Sequence, residues 1–153
     1  MEFFPAVLTR AESDALADRC AGLVRDQGWG PWAVELRATG EFIGLVGLHA
    51  PAGDLPFSPC VEVLWRLAFA HWGRGFAAEA ARAAVEFGFG PLELEEIVAF
   101  TVPANRRSRA VMERLGMRSS DTFEHPRLAP GHPLRLHCLY RLRSDRPTAE
   151  EKR

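Results

Sequence analysis

Apolar positions along the first third of the chain recur with two different periods. Ala15, Leu16, Cys20, Leu23 and Val24 repeat at helical spacing. Thr9 and Glu12 precede them in the threonine-x-x-glutamate form of a capping box, and Gly28 follows as a stop. The pattern predicts a helix over residues 10–27. From residue 31 the period drops to two: Trp32, Val34 and Leu36 alternate with Ala33, Glu35 and Arg37, as in a half-buried strand. Thr39-Gly40 turns the chain, and residues 41–50 return as the second arm of a hairpin. Three prolines and a glycine mark residues 51–60 as a loop. Residues 61–69 are apolar enough for a central strand. Residues 76–89 are alanine-rich and read as a helix whose inward face carries Phe76, Ala80, Ala84 and Phe87. A strand over 95–102, a helix from Asn105 to Leu115 stopped by Gly116, and a strand over 134–142 complete the series. The order is helix, hairpin, strand, helix, strand, helix, strand. This is one α+β domain over 1–143 with a mixed, mostly antiparallel sheet, not a doubly wound α/β fold. Residues 144–153 form a polar tail.

Composition narrows the function classes. A chain of 153 residues with 47% hydrophobic and 25% charged positions suits one globular domain. The net charge of −1 supplies no general attraction to nucleic acid or to an anionic membrane. Cys20, Cys60 and Cys138 are odd in number and widely spaced, which argues against a disulfide framework and a close-paired zinc site. Without a long apolar stretch or a basic leader, the expectation is a cytoplasmic protein.

The chemistry concentrates where the central strand hands over to the alanine-rich helix, at Trp72-Gly73-Arg74-Gly75-Phe76-Ala77-Ala78. The first amides of a helix lack internal partners, and the helix dipole makes that end partly positive. Glycines at 73 and 75 let the backbone curl around a ligand, and the small residues at 77 and 78 leave room for it. Such a ring of amides suits a pyrophosphate, with Arg74 adding charge. A plain glycine turn without ligand fits the spacing equally well. A dinucleotide loop does not fit the surroundings, because a hairpin precedes the stretch and no second strand–helix–strand unit follows.

The segment Trp72–Ala77 resembles the [glutamine or arginine]-x-x-glycine-x-[glycine or alanine] loop of the GNAT superfamily of N-acetyltransferases. Tryptophan at its first position is similar to the RimJ/RimL-like branch. Residues 102–118 are similar to that family's strand–asparagine-x-x-serine–helix–glycine segment, and residues 123–142 to the ending of one bacterial subgroup. The resemblance covers residues 5–143. It implies the GNAT fold, acetyl-CoA as cosubstrate, and a primary-amine acceptor, either a protein N-terminus or a small-molecule amine, attacking the thioester directly. It further implies that the strand splays near Trp65 to Leu67 and offers its backbone to the pantetheine arm. By the same resemblance, residues 72–78 take the pyrophosphate, and Asn105 bonds the pantetheine while also serving as a helix cap.

The implied catalytic groups are less specific. Many family members protonate the leaving thiolate with a tyrosine at the position of Met112. Ser108 stands where the RimJ/RimL-like branch has an alternative acid, although a first-turn serine bonding backbone is the plain reading. Glu62, sharing a strand face with Leu64 and Arg66, is the candidate base, with an ion pair to Arg66 as the structural alternative. His49 is a second candidate. His125, His132 and His137 lack metal spacing and read as structural. Arg106, Arg107 and Arg109 form either a solvated face or a contact to a phosphate. Trp29, Trp32, Phe57 and Trp65 divide between core and acceptor pocket, and Tyr140 reads as a packed residue with a bonded hydroxyl. Family members open with a strand and helix ahead of the point where this sequence starts. Their absence would leave the strand at residue 31 as an edge, open to homodimerisation. The competing class is a non-catalytic acyl-CoA sensor; a nucleotide-binding domain of another kind is a third reading.

Overall fold

The computed structural model describes residues 2–145. Helix α1 (Arg10–Gln27) begins where the capping box places it. Thr9 Oγ1 accepts from the Glu12 amide at 3.2 Å, Glu12 Oε2 accepts from the Thr9 amide at 2.7 Å, and Gly28 ends the helix in the left-handed conformation. Strands β1 (Pro31–Glu35) and β2 (Phe42–His49) form the hairpin, and β3 (Glu62–Leu67) pairs with the other side of β2. Then come α2 (Phe76–Phe89), β4 (Glu96–Thr101), α3 (Arg106–Arg114), β5 (Arg118–Glu124) and β6 (Leu136–Arg143).

The six strands form one sheet in the order β1-β2-β3-β4-β6-β5. Every adjacent pair is antiparallel except β3 and β4, the two strands joined through α2. Alternation along β4 divides the core. Ile97 and Ala99 face the cluster under α2 and α3, with Leu48, Val63, Ala81 and Met112. Val98 faces the opposite cluster with Leu55, Phe123 and Leu139, under the 51–60 loop. No helix among the described residues is long and apolar enough to cross a membrane.

Two expectations are corrected. The buried face of α2 carries Ala78, Ala81, Ala84, Val85 and Gly88, while Phe76, Ala80 and Phe87 are only half-buried. Small residues let the helix lie close to the sheet, so the rings are pushed to its flanks, where Phe87 meets Trp32 edge-on at 5.3 Å. Strand β5 was not expected at all. Its sequence, Arg118–Glu124, buries only Phe123 and shows no apolar alternation, so pairing to β6 alone makes it a strand. Of the 144–153 tail, only Ser144 and Asp145 belong to the described residues.

Candidate active site

At the β3–α2 junction, Gly73 has φ +71° and Gly75 φ +84°, both left-handed. The first amide to turn back into the helix is that of Glu79, which donates to Gly75 O at 3.0 Å. Within the described residues the amides of residues 73–78 make no hydrogen bond. A Cβ at Gly73 or Gly75 would meet nothing within 4 Å. The loop therefore curls around open space rather than around protein. Trp72 closes one side: its indole N–H donates to Leu67 O at 2.7 Å, and the Arg107 guanidinium stands 5.1 Å from its ring centroid. Arg74 turns outward over the Phe76 ring at 4.9 Å and does not line the cleft.

The neighbouring strand opens as the resemblance implied. On one side Ala68 N reaches Ile43 O of β2 at 2.8 Å; on the other Val61 O accepts from Val98 N of β4 at 2.9 Å. Strand alternation then points the backbone groups of Trp65 and Leu67 away from β2. The β3–β4 register contains one pair, Glu62 with Val98. Beyond it the strands diverge, so the amides of Trp65 and Leu67 and the Trp65 carbonyl face a gap. Among the described residues, Leu67 O is the one group there already taken, by Trp72.

Across the gap stands the start of α3. Asn105 caps this helix, its Oδ1 accepting from Ser108 N at 3.2 Å. That bond sets the amide's orientation, and its Nδ2 donates to Thr101 Oγ1 at 3.0 Å and to Ser108 Oγ at 3.2 Å. The Trp65 indole N–H donates to the same Ser108 Oγ, also at 3.2 Å. Two donors fill the lone pairs of Ser108 Oγ, leaving its hydroxyl proton without an acceptor among the described residues. Ser108 thus bonds side chains through its hydroxyl, in place of the backbone bond expected of a first-turn serine. Met112, on the same helix, is buried.

Glu62 and His49 are directly opposite in the β2–β3 register, and His49 Nε2 lies 2.7 Å from Glu62 Oε2. The expected partner, Arg66, makes no ion pair with Glu62; its guanidinium lies over the Phe4 ring at 4.3 Å. Burial pushes the Glu62 carboxyl above the ordinary carboxylate range, and the bond and charge of His49 and the charge of Arg66 pull it only partly back. Of the aromatic candidates, Trp65 borders the two cavities described below, and the other three border neither. Trp29 and Trp32 pack on the α2 core, and Phe57 packs with Phe100 and Phe123.

Two cavities meet at this point. One, of about 340 Å³, runs from the glycine loop along Trp65 and Leu67 to Asn105 and Ser108. The other, of about 880 Å³, contains Glu62 and His49 and is rimmed by residues 50–52 of the long loop. Trp65, Arg66, Asn105 and Ser108 border both. Of the sequence candidates in the first cavity's wall, Trp72, Phe76, Ala77 and Ala78 also appear. Arg109 is committed elsewhere, to Tyr140 Oη at 3.2 Å and Pro103 O at 3.1 Å. Tyr140 is buried and bonded, as expected. His125 and His137, which lack metal spacing in the sequence, both border the larger cavity. The structure brings them there through the β5–β6 hairpin, one strand of which the sequence did not announce.

The family profile described as "Acetyltransferase (GNAT) domain" matches residues 1–118. The chain belongs to the GNAT acetyltransferase family. Similar members include the FsC-acetyl coenzyme A-N(2)-transacetylase of Aspergillus fumigatus, 36% identical over 100 residues, covering 63% of this chain and 42% of that one. The Bacillus subtilis protein YkkB is 35% identical over 100 residues, covering 64% of this chain and 57% of YkkB. This GNAT chain thus spans about half the length of the curated relatives it matches. Among solved structures, an acetyltransferase from Agrobacterium tumefaciens superposes with a TM-score of 0.68 at 30% identity, covering 92% of this chain and 75% of that chain.

Proposed function

We propose that this GNAT domain transfers the acetyl group of acetyl-CoA to a primary amine by direct attack. The observation that carries the reading is the meeting of the two cavities at Trp65 and Ser108, with open amides at one end and the Glu62–His49 pair beyond the other. Unpaired amides at residues 73–78 suit a pyrophosphate, each offering a donor that nothing among the described residues uses. The gap-facing groups of Trp65 and Leu67 suit an extended pantetheine arm, which pairs with them as a further strand would. Asn105 borders the same channel.

Attack requires a neutral amine. Glu62, with a raised pKa and His49 against it, takes the ammonium proton, directly or through a water. The amine nitrogen then forms its bond to the thioester carbon, and an amide N–H at the open strand supports the charge that develops on oxygen. As the carbon–sulfur bond breaks, the electron pair leaves on sulfur. The Ser108 hydroxyl, whose lone pairs are already filled by Trp65 and Asn105, donates its proton there. Its oxygen regains a proton in the same step, relayed by water from the nitrogen, which sheds its surplus proton as the amide forms. In this reading the buried Met112 does not enter the proton path, and Arg74 contributes only through its general positive charge.

The test uses the full chain. CoA raises the melting temperature, since a ligand bound only by the folded state must do so. Acetyl-CoA then releases thiol only when an amine is added. A melting shift without thiol release for any amine makes the protein an acyl-CoA sensor. No melting shift refutes the CoA reading.

A further inference from the structure

We infer that His125 and His137 form a donor–acceptor pair selecting amines whose body carries a neutral amide group. This inference rests on the transferase reading above and concerns the larger cavity, which both rings border. Their centroids are 5.0 Å apart, and each lies about 6 Å from the Phe100 ring, at 6.1 Å and 6.0 Å respectively.

The hydrogen bonds set the two tautomers differently. His137 Nδ1 lies 3.1 Å from Arg135 O, and a carbonyl only accepts, so Nδ1 carries the proton. Its Nε2 is left as a lone pair. His125 Nδ1 lies 3.3 Å from the Arg127 amide, which only donates, so the proton sits on Nε2. Burial acts first to lower the pKa of both rings; the charge of Arg127, and repulsion from His137 whenever that ring is protonated, add to this at His125, while the bond to Arg135 O opposes it only partly at His137. Both are therefore neutral at physiological pH. Neither Nε2 has a partner among the described residues. Two adjacent rings in the cavity wall thus carry one unpartnered donor and one unpartnered acceptor among the described residues.

An amide uses both, offering its carbonyl to His125 and its N–H to His137. A carboxylate has only acceptors and sets an oxygen against the His137 lone pair. A second ammonium has only donors, and it also faces Arg19, Arg66 and Arg127, which outnumber Asp54 and Glu62 around the cavity. The pair therefore ranks amide-bearing amines first and diamines last.

The experiment has two independent arms. Long-range proton–nitrogen NMR of the CoA-saturated chain reads the tautomers directly, with protons expected on His125 Nε2 and His137 Nδ1; the opposite tautomer at either ring overturns the inference. The same sample is titrated with alaninamide, alanine and putrescine, and thiol release from acetyl-CoA is measured with each in a separate, CoA-free reaction. Alaninamide is expected to bind and react about tenfold better than either competitor, the loss that follows from leaving one polar group unpaired. His137→Phe keeps a ring in the wall and removes the acceptor, so the alaninamide preference falls about tenfold. Equal use of the three amines, or a preference for alanine or putrescine, overturns the pair while leaving acetyl transfer intact. If no amine releases thiol, transfer fails, and the NMR titration still decides whether the amide is preferred.

Discussion

Replacing Gly75 by alanine separates the cost of a strained backbone from the loss of a ligand. Gly75 holds φ +84°, and its added Cβ would meet no protein atom within 4 Å. The folded state therefore suffers only the left-handed penalty, about 1–2 kcal/mol for an L-residue. About 0.4–1 kcal/mol of this is offset because alanine restricts the unfolded chain. The net destabilisation is about 1 kcal/mol, or about 2–4 °C in melting temperature for a chain of this size. Binding responds differently, since the new methyl enters the space around which the open amides of residues 73–78 curl. Displacing a phosphate from one charge-assisted bond costs about 1.5–2 kcal/mol, roughly 10–30-fold in affinity. With CoA at about 100 times the unmodified protein's Kd, ligand stabilisation falls from about 2.7 kcal/mol to about 1 kcal/mol. Thermal unfolding with and without CoA measures both quantities on one sample. If Gly75→Ala melts within a few degrees of the unmodified chain and keeps the full CoA-dependent shift, the loop amides do not grip the cosubstrate.

Other outcomes follow from the same site. The kcat/KM against pH rises through an apparent pKa above the ordinary carboxylate range, because burial raises Glu62 and the base must be ionised; Glu62→Gln lowers kcat/KM about a hundredfold and removes that limb. The linked stability has the opposite sign. A folded pKa above the unfolded value gives stabilisation that is complete below the unfolded pKa and lost as pH rises through the folded one, so Glu62→Gln melts higher than the native chain at neutral pH. Ser108→Ala lowers kcat about a hundredfold with CoA binding retained, and an unchanged kcat removes Ser108 as the acid. Thr9→Ala breaks the capping box far from the site; calorimetry should register a loss of about 1 kcal/mol with an unaltered CoA shift.

The parts of this molecule that were legible in the sequence are those governed by near neighbours. The bounds of α1 and α2, the hairpin and the cap at Asn105 depend on side chains a few residues apart. The glycine loop belongs with them, since left-handed backbone at residues 73 and 75 and unfilled helix amides are properties of a short segment. What escaped involves residues distant in sequence. Strand β5 exists only because β6 is beside it. Glu62 and His49 were singled out separately, but the β2–β3 register alone makes them a pair, and Arg66 was the partner that periodicity suggested. Burial, which raises the Glu62 pKa, depends on the whole fold. The junction of the cavities needs β3 to diverge from β4 while α3 brings Ser108 to Trp65, a contact across 43 positions. Periodicity and capping are short-range effects that a linear pattern encodes; register, strand divergence and desolvation arise only when remote segments pack together.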